Sequence, residues 1–410
     1  ILGLKWAHRH YGRDGILQLS PQIRTEKLLG GYRFFDAIAD DARLVLRVIR
    51  EARMAGGQAL NYAFVGSLLK DRSGRVCGVT LTDLAPEGKG RNVEVQASVV
   101  INATGAWADE LRQQVGARPR MRQLRGSHLL FAAHKLPLKR AVSFLHPVDH
   151  RPVMALPWES VTLFGTTDLD HKHDLANEPA ISLQEIDYLL TGLSYMFPDA
   201  GLSERDVLST FAGVRGVVDT GKTNPSKESR EHVAWREKGL LTITGGKLTT
   251  FRVMANTALR AIRSVLPDRL HLHTRHRVLS KPPQEIYGLE ELSPSERTRL
   301  IGRYGVDSLE LAAGLQAGDL DLVAGTNVHV GELRWAARNE DVVHLEDLLL
   351  RRARVGLLAQ RGGLAEIDRI RQWVQAPLGW SDERWQSEVI AFERLLNCCY
   401  SIPGMENSPD

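Results

Sequence analysis

Leu240-Leu241-Thr242-Ile243-Thr244-Gly245-Gly246-Lys247-Leu248-Thr249-Thr250 is the stretch on which the fold turns. Leu240 to Thr244 reads as a buried strand, and Gly245-Gly246 lets a cofactor ring lie against the main chain. Beyond that turn Phe251, Met254, Ala255, Ala258, Ile262 and Val265 keep a 3.6-residue period, which predicts a long helix stopped by Pro267. The helix N-terminus carries a partial positive charge, and Lys247 adds a full one.

Upstream, Val99-Val100-Ile101-Asn102-Ala103-Thr104-Gly105-Ala106-Trp107 is a second buried strand that ends in a small-residue turn. Such a turn is how a flavin diphosphate is met at the carboxyl edge of a Rossmann-type sheet, although an ordinary strand-to-helix turn has the same letters. At the first stretch, the negative N1 and C2 carbonyl edge of a reduced flavin would be favoured by the helix N-terminus.

Outward from these two segments the chain reads as α/β. Asp40-Asp41 offers an N-cap to a helix whose Val45, Val48, Ile49 and Ala52 share one face, and Gly56-Gly57 ends it. Ala59 to Val65 reads as a strand, Cys77, Val79 and Leu81 mark another, Asp83 to Arg91 is a hairpin loop, and Val93 to Ile101 returns as one strand. From about Gln123 to Leu241 short extended runs such as His128 to Phe131 and Val161 to Gly165 predict a second, sheet-based domain, with a helical insert from Ser182 to Met196. Lys281-Pro282-Pro283 reads as a linker, and the remainder to about Asn397 is helical in pattern.

Gly216-Val217-Val218-Asp219-Thr220-Gly221-Lys222-Thr223 fits the P-loop pattern, but Asn224-Pro225-Ser226 follows where a phosphate-binding helix must start, so the match is a decoy. Arg215 and Arg230 flank that polar loop and suit a bidentate grip on phosphate or carboxylate; a pair of solvated surface arginines is the plain alternative. His128 opens a strand after Gly126-Ser127 and could present a general base at a sheet edge, or be a satisfied structural histidine. The Gly165-Thr166-Thr167-Asp168 turn reads as structural.

The 410 residues carry 53 Lys+Arg and 49 Asp+Glu, a formal charge of +4 spread along the chain, which argues against a nucleic-acid partner. No run approaches the roughly 18 apolar residues of a membrane-spanning helix. Cys77, Cys398 and Cys399 have no CxxC spacing, so neither a disulfide framework nor a metal site is indicated, and a reducing compartment fits.

Together, Asp40-Asp41-Ala42-Arg43-Leu44, Asn102-Ala103-Thr104-Gly105, Gly126-Ser127-His128, Pro157-Trp158, Gly165 to Asp168, Ala212-Gly213-Val214-Arg215, Ser229-Arg230 and Gly245 to Thr250 resemble the FAD-dependent glycerol-3-phosphate dehydrogenase family. Glu332-Leu333, Ala337-Arg338-Asn339-Glu340 and Leu378-Gly379-Trp380 extend the resemblance into the helical end.

The resemblance implies an incomplete FAD-binding, Rossmann-type domain of the D-amino-acid-oxidase kind (1–122 and 240–280), a mixed β-sheet substrate domain (123–239) and a helical C-terminal cap (284–400). It implies oxidation of sn-glycerol 3-phosphate to dihydroxyacetone phosphate, with electrons passing through FAD to a membrane quinone. By the same resemblance Arg215, Arg230 and Lys247 hold the substrate, and His128 takes the C2 hydroxyl proton. Val65, Thr104, Gly105, Gly245, Gly246, Lys247, Leu248, Thr249 and Thr250 line the FAD. A cytoplasmic protein is expected. Attachment to the inner face of the membrane would use Arg351-Arg352-Ala353-Arg354 beside the Leu345 to Leu350 run, and a solvated helix face is the other reading. Oligomeric state is left open, a homodimer included.

Two departures from the family qualify this reading. Gly216 stands where the family has Pro after the arginine, so a more flexible Arg215 loop is expected. Nothing before Asp36 resembles the family's opening strand, Gly-x-Gly-x-x-Gly and helix, so uncovered sheet edges and apolar surface are expected. A non-catalytic remnant and an FAD amine oxidase of the same superfamily are the competing readings.

Overall fold

A computed structural model describes residues 8–266 and 276–404; the expected helix stop at Pro267 lies outside the described residues. Arg9–Gly12 (β1) and Gly30–Arg33 (β2) pair antiparallel around Arg13–Leu19 (α1). Ile16, Leu17, Ile23 and Leu28 of this arm pack with Leu129 and Phe131, so it belongs with the substrate domain's core. Asp41–Met54 (α2) starts where expected, because the Asp40 carboxylate accepts the Arg43 N–H at 3.1 Å.

Ala63–Lys70 (β3), Val76–Asp83 (β4) and Asn92–Gln96 (β5) form an antiparallel meander. Val65 lies inside β3, opposite Leu81, and not at the strand's end; the strand continues past an irregularity at Gly66 because Leu68 is buried against Val76, Leu111 and Val115. The single strand expected from Val93 to Ile101 is two. Val95 pairs with Val79 in the meander, Ala97 N–H bonds to Cys77 O at 2.9 Å, and the chain then crosses to Val100–Asn102 (β6) in another sheet. Ala108–Gln114 (α3) follows.

Met121–Ala132 (β7), Val142–Leu145 (β8), Pro152–Trp158 (β9), Val161–Gly165 (β10), Leu169–Asp170 (β11) and Val207–Val218 (β12) build the substrate sheet, with Leu183–Met196 (α4) inserted before β12. Its order is β11-β7-β10-β9-β8 with β12 along β7, and every pairing is antiparallel where a mixed sheet was expected. Alternation along β7 divides its side chains between two cores. Leu129 and Phe131 pack under Ile186, Leu189 and Leu193 of α4, while Leu130 joins the core of the C-terminal domain. Gly216 lies inside β12, opposite Gln123, so the expected flexible loop at Arg215 is a paired strand.

His232–Glu237 (β13) and Leu240–Gly245 (β14) complete the second sheet, ordered β13-β14-β6, with β14 parallel to β6. This sheet therefore begins at His232, before Leu240. One 3-10 turn, Leu248–Thr250, precedes Phe251–Ala261 (α5), whose Ala258 packs with Ile262 on Leu241 and Ile243. The α-helix is shorter than its apolar period suggested, since Arg263–Val265 is a 3-10 turn. No strand pairs with the outer edge of β6 among the described residues, and Ile101, Phe64, Val93 and Val253 are exposed.

The C-terminal domain holds Pro294–Tyr304 (α6), Ser308–Ala313 (α7), Val330–Asn339 (α8), Val355–Leu358 (α9), Ile367–Leu378 (α10) and Asp382–Leu395 (α11). Leu345, Leu348, Leu349 and Leu350 are interior, packed with Val355, Ile370 and Phe392. Arg351 pairs with Glu346 at 2.9 Å, Arg352 Nε donates to Glu340 O at 2.9 Å, and Arg354 pairs with Asp41 at 2.8 Å. The stretch proposed for membrane contact thus places its leucines in the core and its arginines in hydrogen bonds and ion pairs. No helix among the described residues is long and apolar enough to cross a membrane.

A buried ion cluster ties the three units together. Arg303 meets Asp40 of the cofactor unit at 3.0 Å, Glu159 of the substrate domain at 2.9 Å and Glu332 of its own domain at 3.5 Å. Arg299 joins Glu159 at 2.6 Å and Glu332 at 2.7 Å. Glu159 reaches in from the tip of the β9–β10 hairpin, at a φ of 51°.

Candidate anion and cofactor site

Asp168, read from sequence as part of a structural turn, is the centre of the site. Its side chain is 1% exposed, and three arginines converge on it: Arg215 at 3.0 Å, Arg151 at 3.7 Å and Arg230 at 3.8 Å. Ser226 Oγ donates to the same carboxylate at 2.9 Å, and Arg215 also donates to Thr167 O at 3.3 Å. Three guanidiniums face one carboxylate, a surplus of two positive charges. Burial chiefly, then crowding by Arg230 and Arg151, pushes the Arg215 pKa down, and Asp168 only partly opposes this. A doubly negative group would balance the cluster. Arg151 was not legible as a site residue, because it sits in a loop with no motif and enters only through tertiary packing.

Two glycines make room for this arrangement. A Cβ at Gly126 would lie 2.6 Å from Arg215 Nη2, and one at Gly165 would lie 2.3 Å from His128 Cδ2. The register places His128 between Gly165 and Phe211 on the central strand β7, not at a sheet edge. Its ring stacks on Phe211 at 4.7 Å, and its Nδ1 is buried without a hydrogen-bond partner.

Burial first, then the Arg215 charge, push the His128 pKa down to about 4, with Asp41 opposing. The imidazole is neutral at pH 7. An unfolded chain takes this proton near 6.5 whereas the folded one refuses it until about 4, so His128 erodes stability as pH falls through that window. The full loss is roughly 3 kcal/mol. Urea unfolding at pH 7 and pH 4.5 should show the wild type losing more stability on acidification than His128→Gln. Equal losses in the two proteins would refute the shift.

The other expected positions group at the carboxyl edge of the parallel pair β14–β6. Asn102 shapes the first turn: its Oδ1 accepts from Thr104 Oγ1 at 2.7 Å, and its Nδ2 donates to Ala108 O at 2.9 Å. Gly105 has a φ of 60°, and a Cβ there would meet open space. Gly245 and Gly246 both have a φ of 73°; side chains there would strike Glu231 O at 2.6 Å and Met254 Sδ at 2.7 Å. Lys247, Leu248 and Thr249 are exposed, Thr250 is half-buried, and Lys247 makes no ion pair among the described residues.

Two links join this edge to the arginines. A Cβ on Gly216 would lie 2.9 Å from Gly105 O, so only a glycine allows β12, with Arg215, to sit so close to the first turn. His232 pairs with Gly245, which puts Arg230 and Lys247 at the same end of the β13–β14 ladder. Val65 stands apart in the meander, and the structure does not join it to the arginine cluster.

The residues present fit the ring end of a flavin: positive-φ glycines and an exposed cation, Lys247, lie at one edge, and Gly216 sets the strand that carries Arg215 against it. For the diphosphate end, the described residues hold no glycine-rich strand-to-helix turn of the Gly-x-Gly-x-x-Gly kind. The P-loop look-alike binds nothing of that sort, since its Thr220 and the Lys222 N–H are bonded to the Glu228 carboxylate.

Comparison with known proteins gives a consistent answer. The FAD dependent oxidoreductase family profile matches residues 2–252, and that of the C-terminal domain of alpha-glycerophosphate oxidase matches residues 242–385. Glycerol-3-phosphate dehydrogenase 2 of Mycobacterium tuberculosis is 32% identical over 400 residues, 93% of this chain and 67% of that protein. The aerobic glycerol-3-phosphate dehydrogenase of Bacillus subtilis is 35% identical over 255 residues, 62% of this chain and 45% of that protein. Among solved structures, the glycerol-3-phosphate dehydrogenase from Bacillus halodurans complexed with FAD superposes with a TM-score of 0.75 at 26% identity, covering 95% of this chain and 79% of that one.

Proposed function

The chain belongs to the FAD dependent oxidoreductase family, in its glycerol-3-phosphate dehydrogenase group, and from that membership we propose that it binds sn-glycerol 3-phosphate at the Asp168 cluster and oxidises C2 to a ketone. The observation that carries the reading is the charge surplus: Arg151, Arg215 and Arg230 around one buried carboxylate suit a phosphate dianion better than the single charge of an amino-acid carboxylate. This favours the dehydrogenase over an amine oxidase. FAD, when bound, supplies the hydride-accepting chemistry.

In this reading the chain's own residues hold the substrate and move one proton. The phosphate neutralises Arg215, which removes part of the field that keeps His128 from protonating. His128 then accepts the C2 hydroxyl proton as negative charge develops on that oxygen. Arg215 orients the oxygen but stays protonated and cannot be the base. Lys247 and the helix N-terminus behind it stabilise charge on the ring edge, and Val65 meets the adenine through its main chain. Quinone as final acceptor and a cytoplasmic setting rest on the resemblance and on the three free cysteines.

The chain loaded with FAD should bleach at 450 nm on adding glycerol 3-phosphate and not on adding glycerol, and a quinone should restore the colour faster than dioxygen. Arg215→Lys should raise the half-saturating glycerol 3-phosphate concentration at least tenfold, because a point charge replaces a planar fork. A protein that takes up no flavin, or a flavin blind to the substrate, would leave the non-catalytic reading standing instead.

A further inference from the structure

Cys398 and Cys399 close the last helical turn, Leu396–Tyr400, which has the wider π geometry. Cys398 is exposed and Cys399 is buried. The Cys399 thiol donates to Glu178 O at 3.6 Å, Tyr400 Oη donates to Glu178 Oε1 at 2.5 Å, and Arg351 stands 3.8 Å from the same carboxylate. Glu178 belongs to the segment between β11 and α4, so these contacts latch the substrate domain to the end of the C-terminal domain. The two cysteines are neighbours in one turn, and burial foremost, followed by the Cys398 sulfur, pushes Cys399 up to about 12. Cys399 thus stays a protonated donor, and Cys398 is the sulfur open to solvent.

We propose that Cys398-Cys399 is a reversible dithiol site oxidised by hydroperoxides, and that its oxidation releases the Glu178 latch. The Cys398 thiolate attacks the peroxide O–O bond, giving a sulfenic acid and expelling hydroxide. The Cys399 sulfur then attacks the Cys398 sulfur; the S–S bond forms, the S–O bond breaks, and the Cys399 proton leaves with the oxygen as water. In sum two thiols lose two electrons and the peroxide gains them. Sequence neighbours place their Cα atoms about 3.8 Å apart, short of the roughly 4.4–6.8 Å of relaxed disulfides, so this bridge is strained and easily reduced. Closing it turns the Cys399 sulfur away from the Glu178 carbonyl.

The test uses the whole chain, reduced and then treated with hydrogen peroxide. Titratable thiols in denaturant should fall from the three free cysteines to Cys77 alone. The protein should form no disulfide-linked dimer and each chain should become about 2 Da lighter, with full reversal by dithiothreitol. Cys399→Ser should instead trap a dimedone adduct on Cys398, and Cys398→Ser should keep both remaining thiols. Amide exchange of residues 176–180 should quicken on oxidation in the wild type and not in Cys398→Ser. Persistent sulfenic or sulfinic acid on wild-type Cys398, or disulfide-linked dimers, would overturn the site; unchanged exchange at 176–180 would overturn the latch.

Discussion

Asp168→Asn is expected to cost about 3–5 kcal/mol of stability and to remove the anion site with it. The side chain is nearly inaccessible, and its charge holds Arg215, Arg151 and Arg230 at one point. Asparagine keeps the shape and can still accept from Ser226, so the effect isolates the charge. Three guanidiniums then repel one another with nothing between them, and Arg215, already disfavoured by burial, loses its one opposing partner. In urea unfolding the midpoint should fall sharply. Inorganic phosphate, which should raise the wild-type midpoint through selective binding to the folded state, should raise the variant's far less. Asp170→Asn is the matched control: its partner Arg122 also has Glu228, and its carboxylate is 41% exposed, so the change should stay within about 1 kcal/mol. A variant as stable as wild type, with phosphate still protecting it, would remove Asp168 from the centre of the site.

Sequence reasoning named Arg215 and Arg230 but passed over Asp168, the carboxylate on which the structure brings both together. Gly165 to Asp168 looks like a turn because local letters report φ and ψ, whereas the value of Asp168 lies in partners from three separate segments. Arg151 was invisible for the same reason. His128 was found as a residue and misplaced as an edge: the sequence shows a strand, not which strands flank it, and β7 is paired on both sides. Gly216 invites the most instructive error. Beside a proline-bearing relative it suggests looseness, yet it permits the main-chain contact with Gly105 that joins the substrate strand to the cofactor edge. The β14–turn–α5 unit was legible because period, glycines and strand agree. Val93 to Ile101 was not, because a strand that changes sheets keeps its apolar letters through the crossing.

The arginines at residues 351 to 354 were legible as charge, and their partners lead to the ion cluster that couples the domains. Glu332 has no exposure, caps α8 by accepting the His329 N–H at 3.0 Å, and takes Arg299 at 2.7 Å and Tyr304 Oη at 3.1 Å. Burial raises its pKa and is outweighed by Arg299 and Arg303, leaving the carboxyl below its ordinary value of 4.5. Glu332→Gln should therefore cost about 3–5 kcal/mol at pH 7, because two buried guanidiniums lose a shared counter-charge. The pH dependence distinguishes this from a packing defect. A carboxyl with a depressed folded pKa stabilises fully above about 4.5, and that contribution is lost as pH falls through its folded value. The gap between wild type and variant should thus be wide at pH 7 and narrow steadily below pH 4.5, as the wild-type carboxylate is itself discharged. Since Arg303 also holds Asp40 and Glu159, the variant should melt in two steps, the helical domain first. A single transition with a gap that ignores pH would mean that shape, not charge, joins the three units.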